Sequence, residues 1–162
     1  MAYHSVVQKI IDLLQSRNYW FEVFEHEAVV TSEQAALTRP GYTLNQGTKA
    51  MIVKAYKSKT ESFFAMLVFP ADQKFNSKKV QTALGVKSIR FATEVEVGEL
   101  TQGVLPGGVP PFGNLFNLPV FADPAVFQNT KIVFNAGDRA FSVAINSQDY
   151  KDLINPTVVN LI

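Results

Sequence analysis

Apolar positions along the chain recur with two periods, and the switching between them predicts interspersed helices and strands. Val6, Val7, Ile10, Ile11 and Leu14 return at helical spacing until Asn18, and Ser5-Val6-Val7-Gln8 has capping-box spacing at the start of that stripe. Trp20 to Phe24 then alternates around Glu22, as a half-buried strand would. Thr31-Ser32-Glu33-Gln34 opens a short helix that must stop before Pro40-Gly41. Lys49 to Tyr56 alternates again, with Lys49, Met51, Val53 and Ala55 on one face and Ala50, Ile52, Lys54 and Tyr56 on the other. Lys57 to Glu61 turns the chain into Phe63-Phe64-Ala65-Met66-Leu67-Val68-Phe69, which has no polar side and predicts a central strand covered on both faces.

Asn76 can cap a helix through Leu84 with Gly85 just beyond its end, and Thr93-Glu94-Val95-Glu96 has capping-box spacing before another short helix. Leu118 to Phe121, Lys131 to Asn135 and Phe141 to Ile145 are strand-like, the last two joined in hairpin fashion across Ala136-Gly137-Asp138-Arg139. Asn146 to Leu153 predicts a final helix. Frequent hairpins among interspersed helices point to an α/β fold of the α+β type: a mixed, mainly antiparallel sheet or partly closed barrel with helices packed outside. No repeat or linker interrupts the chain, so residues 1–162 are expected to form one domain.

Composition narrows the function classes. The 162 residues include no cysteine, which removes disulfides, thiolate metal sites and a cysteine nucleophile. Lys9 and Asp12 interrupt the apolar pattern near the N-terminus, so neither a signal peptide nor a membrane span is expected there, and the cytoplasm is the default. A net charge of +1 argues against a protein that holds long nucleic acid such as DNA, while a partner with a few phosphates fits. Lys74, Lys78 and Lys79 read as the solvated face of a short helix.

Candidate chemistry is sparse. The chain has no G-x-S-x-G elbow, Walker loop or G-x-G-x-x-G, and His4 and His26 are too far apart in sequence for a metal pair, so no metal or cofactor is expected. Glu94, Glu96 and Glu99 follow a helix surface rather than two converging walls. Leu105-Pro106-Gly107-Gly108-Val109-Pro110-Pro111-Phe112-Gly113 packs three prolines and three glycines into one loop. Proline fixes φ and glycine permits φ > 0, so this loop either holds an awkward turn or presents bare peptide groups to a ligand, and the residues favour neither reading. Lys49, at the mouth of a strand and on an inward face, either snorkels to solvent or serves a site, and snorkelling is the commoner outcome. His26 reads locally as an exposed loop histidine, Gly137-Asp138 as a hairpin turn, and Thr31 as a helix cap.

Four segments together change that balance: His26 to Ala36 with its T-S-E-x-A-A run, Gly47 to Lys54, Gly107 to Gly113, and Asn135-Ala136-Gly137-Asp138-Arg139. In this order they resemble the YbaK/ProX family of aminoacyl-tRNA deacylases, which is related to the editing domain of bacterial prolyl-tRNA synthetases. The likeness runs from about His26 to Leu153, and its most specific piece is the G-x-x-x-P loop, Gly107 to Pro111, combined with Lys49. It implies a compact mixed α/β fold and a pocket for the 3′-terminal aminoacyl-adenosine of a mischarged tRNA. Carried over, it assigns Lys49, Gly107, Gly108 and Pro111 to catalysis, the lysine orienting the terminal nucleotide and the loop backbone positioning the ester carbonyl. His26, Thr31, Gly137 and Asp138 are assigned to substrate binding. The expected reaction is hydrolysis of a mischarged proline tRNA carrying a small wrong residue such as alanine or cysteine, with a prolyl-tRNA synthetase as possible partner. The alternative is a catalytically silent module that binds an amino acid or nucleotide. Asn114 to Pro119 is nearly uncharged where the YbaK branch has basic residues, which favours the stand-alone ProX-like branch over a cysteinyl substrate.

Overall fold

The computed structural model describes residues 2–28 and 31–162. Val29 and Val30, part of the first matching segment, lie outside the described residues.

The first helix, α1 (Ser5–Ser16), buries Val6, Val7, Ile10 and Leu14, the stripe anticipated from sequence. Its cap is one residue earlier than the spacing suggested: His4 Nδ1 accepts from the Val6 amide at 3.1 Å, while Ser5 is already helical. Strand β1 (Phe21–Glu25) follows, then α2 (Ser32–Leu37), closed by a capping box between Thr31 and Gln34. The antiparallel pair β2 (Thr48–Tyr56) and β3 (Ser62–Pro70) builds the centre of the molecule. Helix α3 (Ser77–Leu84) starts on the Asn76 side chain and ends at Gly85, whose φ of 65° is the left-handed cap expected of glycine. Strand β4 (Ser88–Phe91) and helix α4 (Glu94–Thr101), with a Thr93–Glu96 capping box, precede the Gly-Pro loop.

Past the loop come a 3₁₀ turn (Gly113–Phe116), β5 (Val120–Ala122), a second 3₁₀ turn (Pro124–Gln128), β6 (Lys131–Asp138), β7 (Phe141–Asn146), α5 (Ser147–Ile154) and β8 (Thr157–Val158). The hairpin differs from its sequence reading. β6 runs on to Asp138 through an irregularity between Asn135 and Asp138, so the turn proper is Arg139-Ala140. The strands β4 and β8 were not foreseen, since each is short and completes a sheet edge without a hydrophobic alternation of its own.

Two sheets result, ordered β4-β2-β3-β5-β8 and β1-β7-β6, and they do not close into a barrel. The first is mixed, because β5 runs parallel to β3 and β8 parallel to β5. A parallel bridge between Gly47 and Val133 ties the sheets together. β3 is covered on both faces as its apolar run required: Met66 and Val68 enter the main core with α1, β6 and β7, while Ala65, Leu67 and Phe69 pack with Val80 and Leu84 of α3. No helix among the described residues is long and apolar enough to cross a membrane.

Candidate active site

A cavity of about 420 Å³ lies where β2, α2, the Gly-Pro loop and β6 converge. Its lining includes three residues singled out from sequence, Thr31, Lys49 and Gly107, beside Glu33, Arg39, Thr48, Met51, Pro106, Val109 and Asn135. Lys49 is half-buried at the start of β2, and its side chain makes no hydrogen bond or ion pair with any described residue. It therefore opens on the cavity with its charge uncommitted. Thr31 serves its capping role, accepting from the Gln34 amide at 3.1 Å, and still borders the cavity.

The loop begins as a tight turn. Pro106 and Gly107 occupy its two central positions, Gly107 has φ 87°, and the Gly108 amide donates to the Leu105 carbonyl at 2.9 Å, the residues and geometry of a type II turn. The β6–β7 hairpin then grips three consecutive carbonyls. Arg139 Nε donates to Pro106 O at 2.5 Å, Asn135 Nδ2 to Gly107 O at 2.7 Å, and the Gly137 amide to Gly108 O at 2.8 Å. The Gly107 and Val109 amides, by contrast, have no hydrogen-bond partner among the described residues, although both residues line the cavity. With the carbonyls committed and two donors free, this wall suits a developing negative charge.

The other expected residues stand one layer back. Gly108 is buried against the hairpin, where a Cβ would come within 3.2 Å of Leu105 O and 3.5 Å of the Arg139 amide nitrogen. Pro111 faces the core, its carbonyl accepting from buried Tyr150 at 2.6 Å. Gly137, at φ 107°, lies against Val6 of α1, and Asp138 accepts from the Ala140 amide within the hairpin turn. Contrary to the sequence expectation, Gly137 and Asp138 do not line this cavity; they brace the loop from behind. His26 is neither on the cavity wall nor a free loop residue, because its Nε2 meets Ser142 Oγ at 2.8 Å and its Nδ1 the Glu27 carbonyl at 2.8 Å.

Sequence reasoning missed Arg39. It is only 6% exposed, yet no carboxylate among the described residues pairs with it, and burial lowers its pKa to about 10. The guanidinium stays charged at neutral pH, held by neutral partners: Nε donates to Ser142 Oγ at 3.0 Å and Nη2 to Asn135 Oδ1 at 2.8 Å. Nη1 has no partner among the described residues. A buried cation without a counter-charge is costly, which makes Arg39 a candidate for this site. Its position before Pro40 gave no signal, because the polar atoms that receive it come from residues about a hundred positions away. No group of three or more side chains able to hold a metal occurs among the described residues.

Comparison with known proteins adds to this geometry. Residues 26–153 match the family described as the aminoacyl-tRNA editing domain. The chain is 35% identical over 162 residues to the multifunctional Ser/Thr-tRNA deacylase ProXp-y of Escherichia coli K12, covering 99% of this chain and 95% of that one. It is 31% identical over 120 residues to a stretch making up 20% of the proline–tRNA ligase of Methylobacillus flagellatus. A solved structure provisionally assigned as a trans-editing enzyme for prolyl tRNA synthetase superposes with a TM-score of 0.82 at 22% identity, covering 99% of this chain and 98% of the other.

Proposed function

The chain belongs to the aminoacyl-tRNA editing domain family, and from that premise we propose that it clears tRNA wrongly charged with a small hydroxylated amino acid, serine or threonine. The activity common to this reading is that of an aminoacyl-tRNA hydrolase. Water adds to the ester carbonyl, the bond to the ribose oxygen breaks, and the proton lost by the water ends on that oxygen.

The observation that carries the mechanism is the open wall of the loop, with the free amides of Gly107 and Val109 beside Lys49. An aminoacyl ester is already activated, so a positioned water and stabilisation of one oxyanion suffice. Fixed donors of this kind contribute about 3 kcal/mol each to the transition state. Lys49 orients the terminal nucleotide as a compact positive charge. Gly108, Pro111, Gly137 and Asp138 act by holding the loop in place, and His26 acts through Ser142. The substrate's own ribose hydroxyl or amine carries the proton; among the described residues no histidine lines the cavity.

Serine and threonine are favoured over the alanine or cysteine expected from sequence because Arg39, whose Nη1 has no partner among the described residues, lines the cavity together with Thr48. A substrate hydroxyl supplies an acceptor for Nη1, whereas an alanyl methyl leaves that donor unmatched. Sites built to bond a hydroxyl reject analogues lacking it far more strongly than apolar pockets reject one methylene. The E. coli relative, a Ser/Thr-tRNA deacylase, supports the same choice. In this reading residues 1–162 act as one editing domain in the cytoplasm, and the relationship to a proline–tRNA ligase supports a synthetase as partner. Incubating the purified protein with tRNA carrying serine, threonine, alanine or cysteine tests the reading. Faster ester loss for serine and threonine than for alanine is expected. Preference for alanine on proline tRNA would return the substrate to the sequence expectation, and no acceleration for any of them would make the protein a silent binding module.

A further inference from the structure

A second cavity, of about 260 Å³, shares Ala50, Met51, Pro106, Gly107 and Val109 with the first as a common wall. Phe91, the last residue of β4, lines it and is 57% exposed. Strand register sets this ring on a track. Phe91 pairs with Val53 of β2, so it stands on the same sheet face as Val53, Met51 and Lys49. Lys49 lies four residues farther along β2, roughly 13 Å at the rise of a strand. A short extended run of nucleotides spans that distance.

The ring is also held in place before any ligand arrives. Phe75 meets it edge-to-face with centroids 5.4 Å apart, and Phe75 itself rests on Phe69 at 6.0 Å. Arg90 Nη1 donates to the Phe91 carbonyl at 3.0 Å while its guanidinium spans Glu96 at 2.7 and 3.0 Å and Nε reaches the Tyr56 hydroxyl at 3.1 Å. Two further exposed hydrophobic residues, Val95 and Leu105, neighbour residues of this cavity wall in the chain. Single exposed apolar residues need no explanation, but an exposed ring that itself lines a cavity beside the ester site does.

We propose that Phe91 is a stacking platform for an unpaired base of the tRNA 3′ end, the base next to the nucleotide that carries the ester. Aromatic faces are the usual means of reading single-stranded bases, and they work without a basic patch, in keeping with a net charge of +1. A ring packed against Phe75, on a backbone carbonyl held by Arg90, loses little freedom on binding. The inference rests on the editing reading, and it adds a contact outside the ester cavity.

Phe91→Ala, Phe91→Leu and Phe91→Trp, each confirmed folded by circular dichroism, test it in two assays. In deacylation, Phe91→Ala should raise KM for aminoacyl-tRNA roughly tenfold with kcat unchanged. The same amino acid esterified to adenosine alone should be hydrolysed as by the parent. Phe91→Trp should restore the parent KM and Phe91→Leu should not. In the second assay an RNA tetranucleotide ACCA, with 2-aminopurine in place of its penultimate base, should lose fluorescence on binding the parent and Phe91→Trp but not the Ala or Leu variants. An unchanged KM in Phe91→Ala, equal rescue by leucine, or equal loss on aminoacyl-adenosine overturns the platform. Equal rescue by leucine would point instead to an apolar protein contact. If the parent hydrolyses no aminoacyl-tRNA, the editing reading falls, and the fluorescence assay still decides whether Phe91 stacks a base.

Discussion

The two halves of the Gly-Pro loop contain the same kinds of residue and do opposite things. Pro106 to Val109 forms a turn on the cavity wall, with Gly107 exposed and two amides unpaired. Pro110 to Gly113 is buried throughout: Phe112 is 0% exposed between Phe134 and Tyr150, and Gly113 has no room for a Cβ, which would lie 2.5 Å from Val120. In the first half backbone flexibility is used to expose donors, and in the second it is used to let the chain pass through the core. The difference teaches that glycine and proline density marks shaped backbone without saying what the shape is for. That depends on what grips the carbonyls.

Substitutions in the two halves should therefore separate stability from activity. The largest effect is expected at the buried half, where Phe112→Ala removes a ring from the core and should lower the unfolding free energy by about 3–5 kcal/mol, read by denaturant titration. A loss below about 1 kcal/mol would mean that this half is not an anchor. On the open side, Lys49→Ala should reduce kcat/KM for aminoacyl-tRNA about ten- to hundredfold, the equivalent of roughly 1.5–3 kcal/mol for a hydrogen bond to a charged group. Its thermal midpoint should stay at the parent value. A matching fall in stability would collapse the distinction between the halves.

The smallest effect concerns the clamp beside the open half. The Arg90 hydrogen bonds, followed by the Thr93 backbone, hold the Glu96 carboxyl down to about 2. Because this pKa is depressed in the folded state, its contribution is fully present above the ordinary value of 4.5 and is lost as pH falls toward 2. Glu96→Gln should accordingly flatten the acid limb of the stability profile in that window and leave neutral-pH activity nearly unchanged. An identical acid limb in parent and variant would show that the clamp adds nothing.

Much of the fold was legible because local chemistry decided it. Three anticipated caps, at Thr31, Asn76 and Thr93, stand where their spacing predicts, and the unbroken run from Phe63 to Phe69 is the doubly covered strand. At α1 a histidine supplied the cap that the serine pattern implied, a substitution that pattern rules do not encode. The site was legible only in part. Lys49 and Gly107 face the cavity, but Arg39 owes its importance to burial and to Ser142 and Asn135, which local sequence cannot show. Gly137 and Asp138 were marked by a motif, yet tertiary packing turned them toward α1 and their own hairpin.

The central claim is that the open half of the loop contributes bare amide donors to the transition state. Replacing the peptide bond between Gly108 and Val109 by an ester removes the Val109 N–H and no side chain. Single-turnover hydrolysis of seryl- or threonyl-tRNA by this variant should slow by about a hundred- to a thousandfold with substrate affinity unchanged, the cost typical of losing one oxyanion donor. A rate equal to that of the parent would contradict the claim.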